Sequence, residues 1–114
     1  MGLGRKLIVS ISSIIISTSF VANAAEETLT AKRQAELVHM VKQDCGSCHG
    51  MTLKGGLGPA LLPENLVNKP TLMLENTVIH GRPGTAMPPW KSILKPQEVR
   101  WIISQLQKGK IHEN

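Results

Sequence analysis

Cys45-Gly46-Ser47-Cys48-His49 places two thiols three residues apart and an imidazole directly after the second. Thiols at this spacing, followed by histidine, form the attachment pattern of a c-type haem. The chemistry dictates the spacing. The two sulfurs must meet vinyl groups on neighbouring pyrroles along one porphyrin edge, and one helical turn spans that gap. His49 then turns beneath the ring plane, where one of its nitrogens meets the iron. Other uses of the pair fit less well. A thioredoxin-like redox pair wants a strand before it and a helix after it. A zinc site wants four ligands, usually including a second close pair, and His39, His80 and His112 do not form one. A Cys45–Cys48 disulfide would close too small a loop to stabilise much.

With His49 on one face of the iron, the other face needs a partner or an opening. Met40 falls within a helical pattern and could equally be core. Met51 sits two residues from His49 and cannot reach round to the opposite face. Met73 belongs to the first turn of a later helix, where ordinary packing is its better reading. Met87 stands in Gly84-Thr85-Ala86-Met87-Pro88-Pro89, where rigid prolines can hold a loop against the ring. Met87 is therefore favoured as the second axial ligand. His80 is its principal competitor, with a helix-end residue facing solvent as the alternative reading; His39 and His112 read as surface residues. A thioether opposite an imidazole favours the ferrous state and raises the reduction potential. It also fills the coordination sphere, which argues against oxygen activation.

The chain has 114 residues and a formal net charge of +5, enough for one small domain. Its start reads as a leader. Arg5 and Lys6 are followed by an apolar and hydroxyl-bearing run from Leu7 to Phe20, then by Ala22-Asn23-Ala24. That is the order of a signal peptide, 1–24, cleaved after Ala24, and the run falls short of the ~20 residues that span a bilayer. Export to the periplasm follows, where close thiols tend to pair unless otherwise consumed; thioether bonds to haem consume both. Removing 24 residues, Arg5 and Lys6 among them, leaves 90 residues with eleven bases against eight acids, a net +3. Haem propionates would offset most of it, so neither nucleic-acid binding nor stable membrane insertion is indicated.

The elements that must position these groups read as all-α. Residues 25–114 form a single domain with an ordered core of about 30–108, preceded by a short mobile lead over Ala25–Leu29. Thr30 caps a helix running to about Gln43, with Ala31, Ala35, Val38 and Val41 at helical spacing and Leu37 beside them. Gly55, Gly56, Gly58 and Pro59 make regular structure improbable from Gly50 to Pro63, and a short helical turn follows at Pro63–Val67. Pro70 opens a second helix that Gly81 stops as a left-handed cap. Pro96 opens the third, whose Val99, Ile102, Ile103 and Leu106 form a buried stripe. Gly109 ends it, leaving a frayed tail. Three main helices joined by long Gly/Pro loops suit the wrapping of a flat cofactor. After cleavage no Phe or Tyr remains, and Trp90 and Trp101 are the only aromatics. A domain this small buries only ~60–65% of its unfolded surface, so a covalently held porphyrin would supply the missing centre.

Cys45–His49, Gly58-Pro59 and Met87-Pro88 together resemble the class I c-type cytochromes over essentially the whole processed chain. The resemblance implies that the Pro59 carbonyl accepts a hydrogen bond from His49, which orients the ring and makes it a more basic ligand. It also implies that the first and last helices cross near the motif, Ala35 and Val38 against Ile102 or Trp101. Two longer stretches, His49–Pro59 and Gly81–Trp90, are similar to the small periplasmic cytochromes of the NirC group, associated with the dissimilatory nitrite reductase of denitrifiers. The function implied is one-electron transfer with one covalent haem c, not enzymatic turnover. The redox partner would be nitrite reductase, steered by Lys54, Arg82 and Lys91. A role in maturing the reductase haem is the alternative, and a sensor or peroxidase with an open iron is a third reading.

Overall fold

The computed structural model describes residues 1–2 and 28–112. The leader expected at residues 1–24, with its cut after Ala24, lies outside them apart from Met1 and Gly2, as do residues 25–27. The described residues form helices and no strand, in the order α1 (Ala31–Met40), a π-helical turn (Val41–Cys45), α2 (Gly46–His49), α3 (Pro63–Leu66), α4 (Thr71–His80) and α5 (Pro96–Gln107). The Thr30 hydroxyl accepts from the Arg33 amide and starts α1. Pro63 and Pro96 each occupy the first turn of a helix, where a missing N–H costs nothing.

The first helix does not stop near Gln43 as its sequence suggests. It runs through the wide turn into the thiol motif, so α1, the π turn and α2 form one rod ending at His49. The wide turn sets the register. Leu37 and Val41 are fully buried, and the next buried position is Gly46, five residues beyond Val41 rather than four. The extra residue per turn brings Gly46 to the fully buried position, and Cys45 beside it still packs partly on the core. The Ser47 hydroxyl donates to the Asp44 carbonyl at 2.7 Å, which serves one of the carbonyls the irregular turn disturbs.

The core is built from aliphatic side chains, with Leu37, Val41, Leu53, Leu66, Leu74 and Leu94 meeting the Val99, Ile102, Ile103 and Leu106 stripe of α5. Trp90 and Trp101 pack on it from the edge. Two ion pairs fasten other helices to α5. Arg33 Nε of α1 donates to Glu98 Oε1 at 2.6 Å, and the second Glu98 oxygen accepts the Lys95 amide at 2.8 Å. Arg100 Nε donates to Glu75 of α4 at 3.3 Å. Gln107 then ties the far end of α5 to the Leu66 and Lys69 carbonyls.

Four expectations need correction. Ala35 is exposed, and the buried α1 residue facing the core is Leu37, because the stripe follows Leu37, Val41 and Gly46. Leu29 belongs to no mobile lead; it packs on the core, and its carbonyl accepts from Gln34 at 2.9 Å. Lys110–His112 are not frayed, since Ile111 is 1% exposed and the His112 ring bonds the Leu61 carbonyl; residues 113–114 lie outside the described residues. Gly81 has φ 68 but ψ −167, which is not the left-handed helical conformation.

The Arg33–Glu98 contact makes stability depend on acid. Hydrogen bonding from Arg33, more than from the Lys95 amide, holds the Glu98 carboxyl below its usual range. A carboxylate whose folded-state pKa is depressed contributes stability that is present above its unfolded value and lost as pH falls through the folded one. Arg33→Ala is expected to lower stability at pH 7, because it removes the hydrogen bonds that keep Glu98 ionised. The deficit should shrink once Glu98 protonates in both proteins, and denaturant unfolding at pH 7 and near pH 3 measures it.

Candidate haem site

His49 is the last residue of α2, so helix geometry delivers the two thiols and the imidazole to one end of the rod. The loop after it folds straight back. Gly55 N–H donates to the His49 carbonyl and Gly58 N–H to the Cys48 carbonyl, both at 2.8 Å, and Leu61 N–H donates to the Leu53 carbonyl. This return brings the Pro59 carbonyl to 2.7 Å from His49 Nδ1. A carbonyl only accepts, so Nδ1 carries the proton, and Nε2 is the nitrogen left with a free lone pair. The expected Pro59 contact is therefore present. A hydrogen-bonded imidazole fixed in this tautomer is what a metal-ligating histidine requires.

Gly58 is the residue that permits the approach. A Cβ at that position would stand 2.7 Å from both Cε1 and Nδ1 of His49, inside any ordinary van der Waals contact. Leu53, by contrast, reaches φ 57 without being glycine. Its side chain is buried, and that burial offsets the steric cost of a left-handed residue.

Cys45 and Cys48 are both unpaired and half-buried. Burial, with Asp44 as a lesser cause, pushes the Cys45 thiol up to about 11, so it stays protonated at neutral pH. Among the described residues no group of three or more His, Cys, Asp or Glu side chains could hold a metal ion. Two thiols one turn apart and an imidazole with Nε2 free fit a covalently attached haem.

Met87 lies in the irregular run after α4, where its side chain is half-buried. Its carbonyl accepts the Arg82 amide at 3.1 Å. Beyond it, the Trp90 and Lys91 amides donate to the Val78 and Ile79 carbonyls, so the run hangs from the end of α4. Gly81 is needed here for close approach: at φ 68, a Cβ would lie 2.7 Å from the Met87 carbonyl oxygen. The competing methionines are placed differently. Met40 packs partly on the core and Met51 is exposed. Met73 is no packing residue, as its sequence position suggests; it is exposed on the wall of an open cleft of about 510 Å³ that Leu72, Thr77, His80 and Gly81 also line. His39 and His80 are exposed, as expected.

The sequence reading missed the π turn, the left-handed Leu53 and the buried Ile111. Only Ile111 carried a usable signal, an isolated branched aliphatic in a polar tail. No helix among the described residues is long and apolar enough to cross a membrane.

Residues 32–104 match the family described as "Cytochrome C oxidase, cbb3-type, subunit III". Cytochrome c55X of Pseudomonas aeruginosa is 52% identical over 87 residues, which is 76% of this chain and 73% of that one. The solved structure of the c-type cytochrome NirC superposes with a TM-score of 0.71 at 52% identity, over 73% of this chain and 98% of that chain. A second solved structure, dihydro-heme d1 dehydrogenase NirN in complex with DHE, gives 0.56 at 32% identity, over 60% of this chain but 15% of that one.

Gly58→Ala is expected to swing His49 off the Pro59 carbonyl and to cost about 1–3 kcal/mol, as overpacking does. Denaturant unfolding gives the cost. By NMR the Nδ1 proton should exchange slowly in the unsubstituted protein and freely in the variant.

Proposed function

The chain belongs to the c-type cytochromes, in the group of cytochrome c55X and NirC, and carries haem c; on that premise we propose that it is a periplasmic one-electron carrier serving denitrification, with nitrite reductase as its acceptor. Cys45 and Cys48 would hold the porphyrin through thioethers, and His49 Nε2 and Met87 Sδ would be the side-chain atoms that bind the iron. When bound, the haem supplies one-electron exchange between Fe(II) and Fe(III). The protein's part is to keep both ligands in place in either state, so that little rearranges when the charge changes. The observation that carries this reading is the 2.7 Å bond from His49 Nδ1 to the Pro59 carbonyl, because it commits the ring to a single available nitrogen.

Lys54, Arg82 and Lys91 are all exposed and flank the two site loops. They form the rim that steers an acidic redox partner, whose transient contact needs little buried area. Export and removal of residues 1–24 would put the carrier in the compartment where such a reductase works. With His49 and Met87 both serving the iron, catalysis on a small substrate would not be part of this reading.

A second reading is favoured by the likeness to dihydro-heme d1 dehydrogenase: the same redox centre would serve maturation of the reductase's haem. The two make different demands on kinetics. As a carrier, the reduced protein should be reoxidised by purified nitrite reductase at about 10⁶–10⁷ M⁻¹s⁻¹, slowing as salt is raised. As a maturation factor, it should react slowly, and a strain lacking it should make reductase short of its special haem. Met87→Ala tests the ligand directly. The weak band at the red end of the oxidised spectrum should vanish, carbon monoxide should bind the reduced form at neutral pH, and the potential should fall by tenths of a volt, within the ~0.8 V that axial ligands command. An unsubstituted protein that already binds carbon monoxide freely would instead point to a sensor or peroxidase.

A further inference from the structure

The segment that presents Met87 holds one side chain in a position no part of the electron-transfer reading uses. Thr85 Oγ1 donates to the Arg82 carbonyl at 2.6 Å and accepts the Met87 amide at 3.3 Å. Two backbone bonds close the same turn, from Thr85 N–H to the Arg82 carbonyl at 3.0 Å and from Arg82 N–H to the Met87 carbonyl at 3.1 Å. The hydroxyl thus spans the turn from one side to the other. Of the polar groups at Met87, the carbonyl is held by backbone alone, whereas the amide depends on Thr85.

The turn has little else to hold it. Arg82, Pro83, Gly84, Thr85 and Ala86 are exposed, and Gly84 stands at φ 78 with nothing near its Cα. Pro88 and Pro89 fix their own φ but donate no hydrogen bond, so the next anchor along the chain is the Trp90 amide on Val78. A five-residue turn in solvent, anchored only at its ends, samples many conformations unless something bridges it. We infer that Thr85 is a positioning residue for Met87: its hydroxyl bridges the Arg82 carbonyl to the Met87 amide and so keeps the thioether at the iron against competing ligands. This rests on Met87 being the axial ligand. Thr85 touches neither iron nor porphyrin in this role and acts only through Met87.

The experiment uses the haem-loaded oxidised protein and imidazole as the competing ligand, followed by visible spectroscopy. Thr85→Val keeps the shape and removes both hydroxyl bonds; Thr85→Ser keeps both. A bond of this kind is worth roughly a three- to tenfold change in an equilibrium constant. Thr85→Val is therefore expected to bind imidazole about three- to tenfold more tightly than the unsubstituted protein, with Thr85→Ser close to the unsubstituted value and thermal unfolding of the whole domain unmoved. Equal imidazole affinity in the valine variant and the unsubstituted protein would overturn the inference, as would a serine variant that binds imidazole as tightly as the valine one. Met87→Ala, measured in parallel, separates this from failure of the ligand assignment. If the unsubstituted protein lacks the red-end band and binds imidazole as Met87→Ala does, the assignment falls and the inference with it; if the band is present and Thr85→Val changes nothing, only the inference falls. Hydrogen exchange at the Met87 amide needs no variant. Slow exchange in the unsubstituted protein supports the bridge, and exchange at the rate of an open chain overturns it even should Thr85→Val fail to fold.

Discussion

The hydrogen bond from His49 to the Pro59 carbonyl is the constraint around which the remaining structure is arranged. To place that carbonyl at 2.7 Å, the chain must reverse within ten residues of His49 and return along the end of α2. The reversal needs a residue without a side chain where it crosses the imidazole, and Gly58 supplies it. It also needs Leu53 in a left-handed conformation, which its burial makes affordable. The loop is therefore long because it has a fixed point to reach, and it is irregular because its amides are spent on the ends of the thiol motif instead of on a ladder of its own.

The bond in turn depends on the rod that carries His49. Leu37 and Val41 seat that rod on the core, the π turn transfers its buried face to Gly46, and Arg33 fastens its start to Glu98 on α5. α5 receives the other elements as well, through Glu75 on α4 and through Gln107, which reaches the carbonyls at Leu66 and Lys69. The fully buried side chains are all aliphatic, with the two tryptophans at the edge. A core of that composition buries less per residue than one built on aromatics. Polar fastenings between helices are thus a larger share of what fixes their relative positions than they would be in a bigger domain.

Much of this was legible in the residue order, and where it was not the reasons are physical. The thiol motif, the proline openings of α3 and α5 and the Val99–Leu106 stripe each rest on local rules, which need no knowledge of the rest of the chain. Ala35 and Leu37 lie on opposite faces of α1, and the periodic Ala31, Ala35 and Val38 pattern pointed to the wrong one; the face that packs is the one carrying Leu37 and Val41. The π turn that follows has no residue signature. Gly81 looked like an ordinary helix stop; it is instead required because the Met87 carbonyl, six residues later, lies where a Cβ would stand. Ile111 stands out locally as a lone aliphatic in a polar tail, but its partner region around Leu61, fifty residues earlier, is not legible from that pattern.

The two sides of the haem site are held by different means, and the difference has a consequence. His49 sits on a helix packed into the core, and its loop, although largely exposed, is tied back to the thiol motif by several backbone bonds and seated by the buried Leu53. Met87 sits on a run that is exposed for five residues before it and anchored beyond it through Trp90. Local opening begins where few apolar contacts are buried and backbone bonds face water. On the proposed ligation, thermal motion therefore releases the thioether side long before the imidazole side, and the stability of the whole domain says little about how firmly the iron keeps its second ligand. Redox properties that depend on methionine binding are set by a handful of bonds in one surface turn, and the core that gives the fold its shape contributes to them only by holding the ends of that turn.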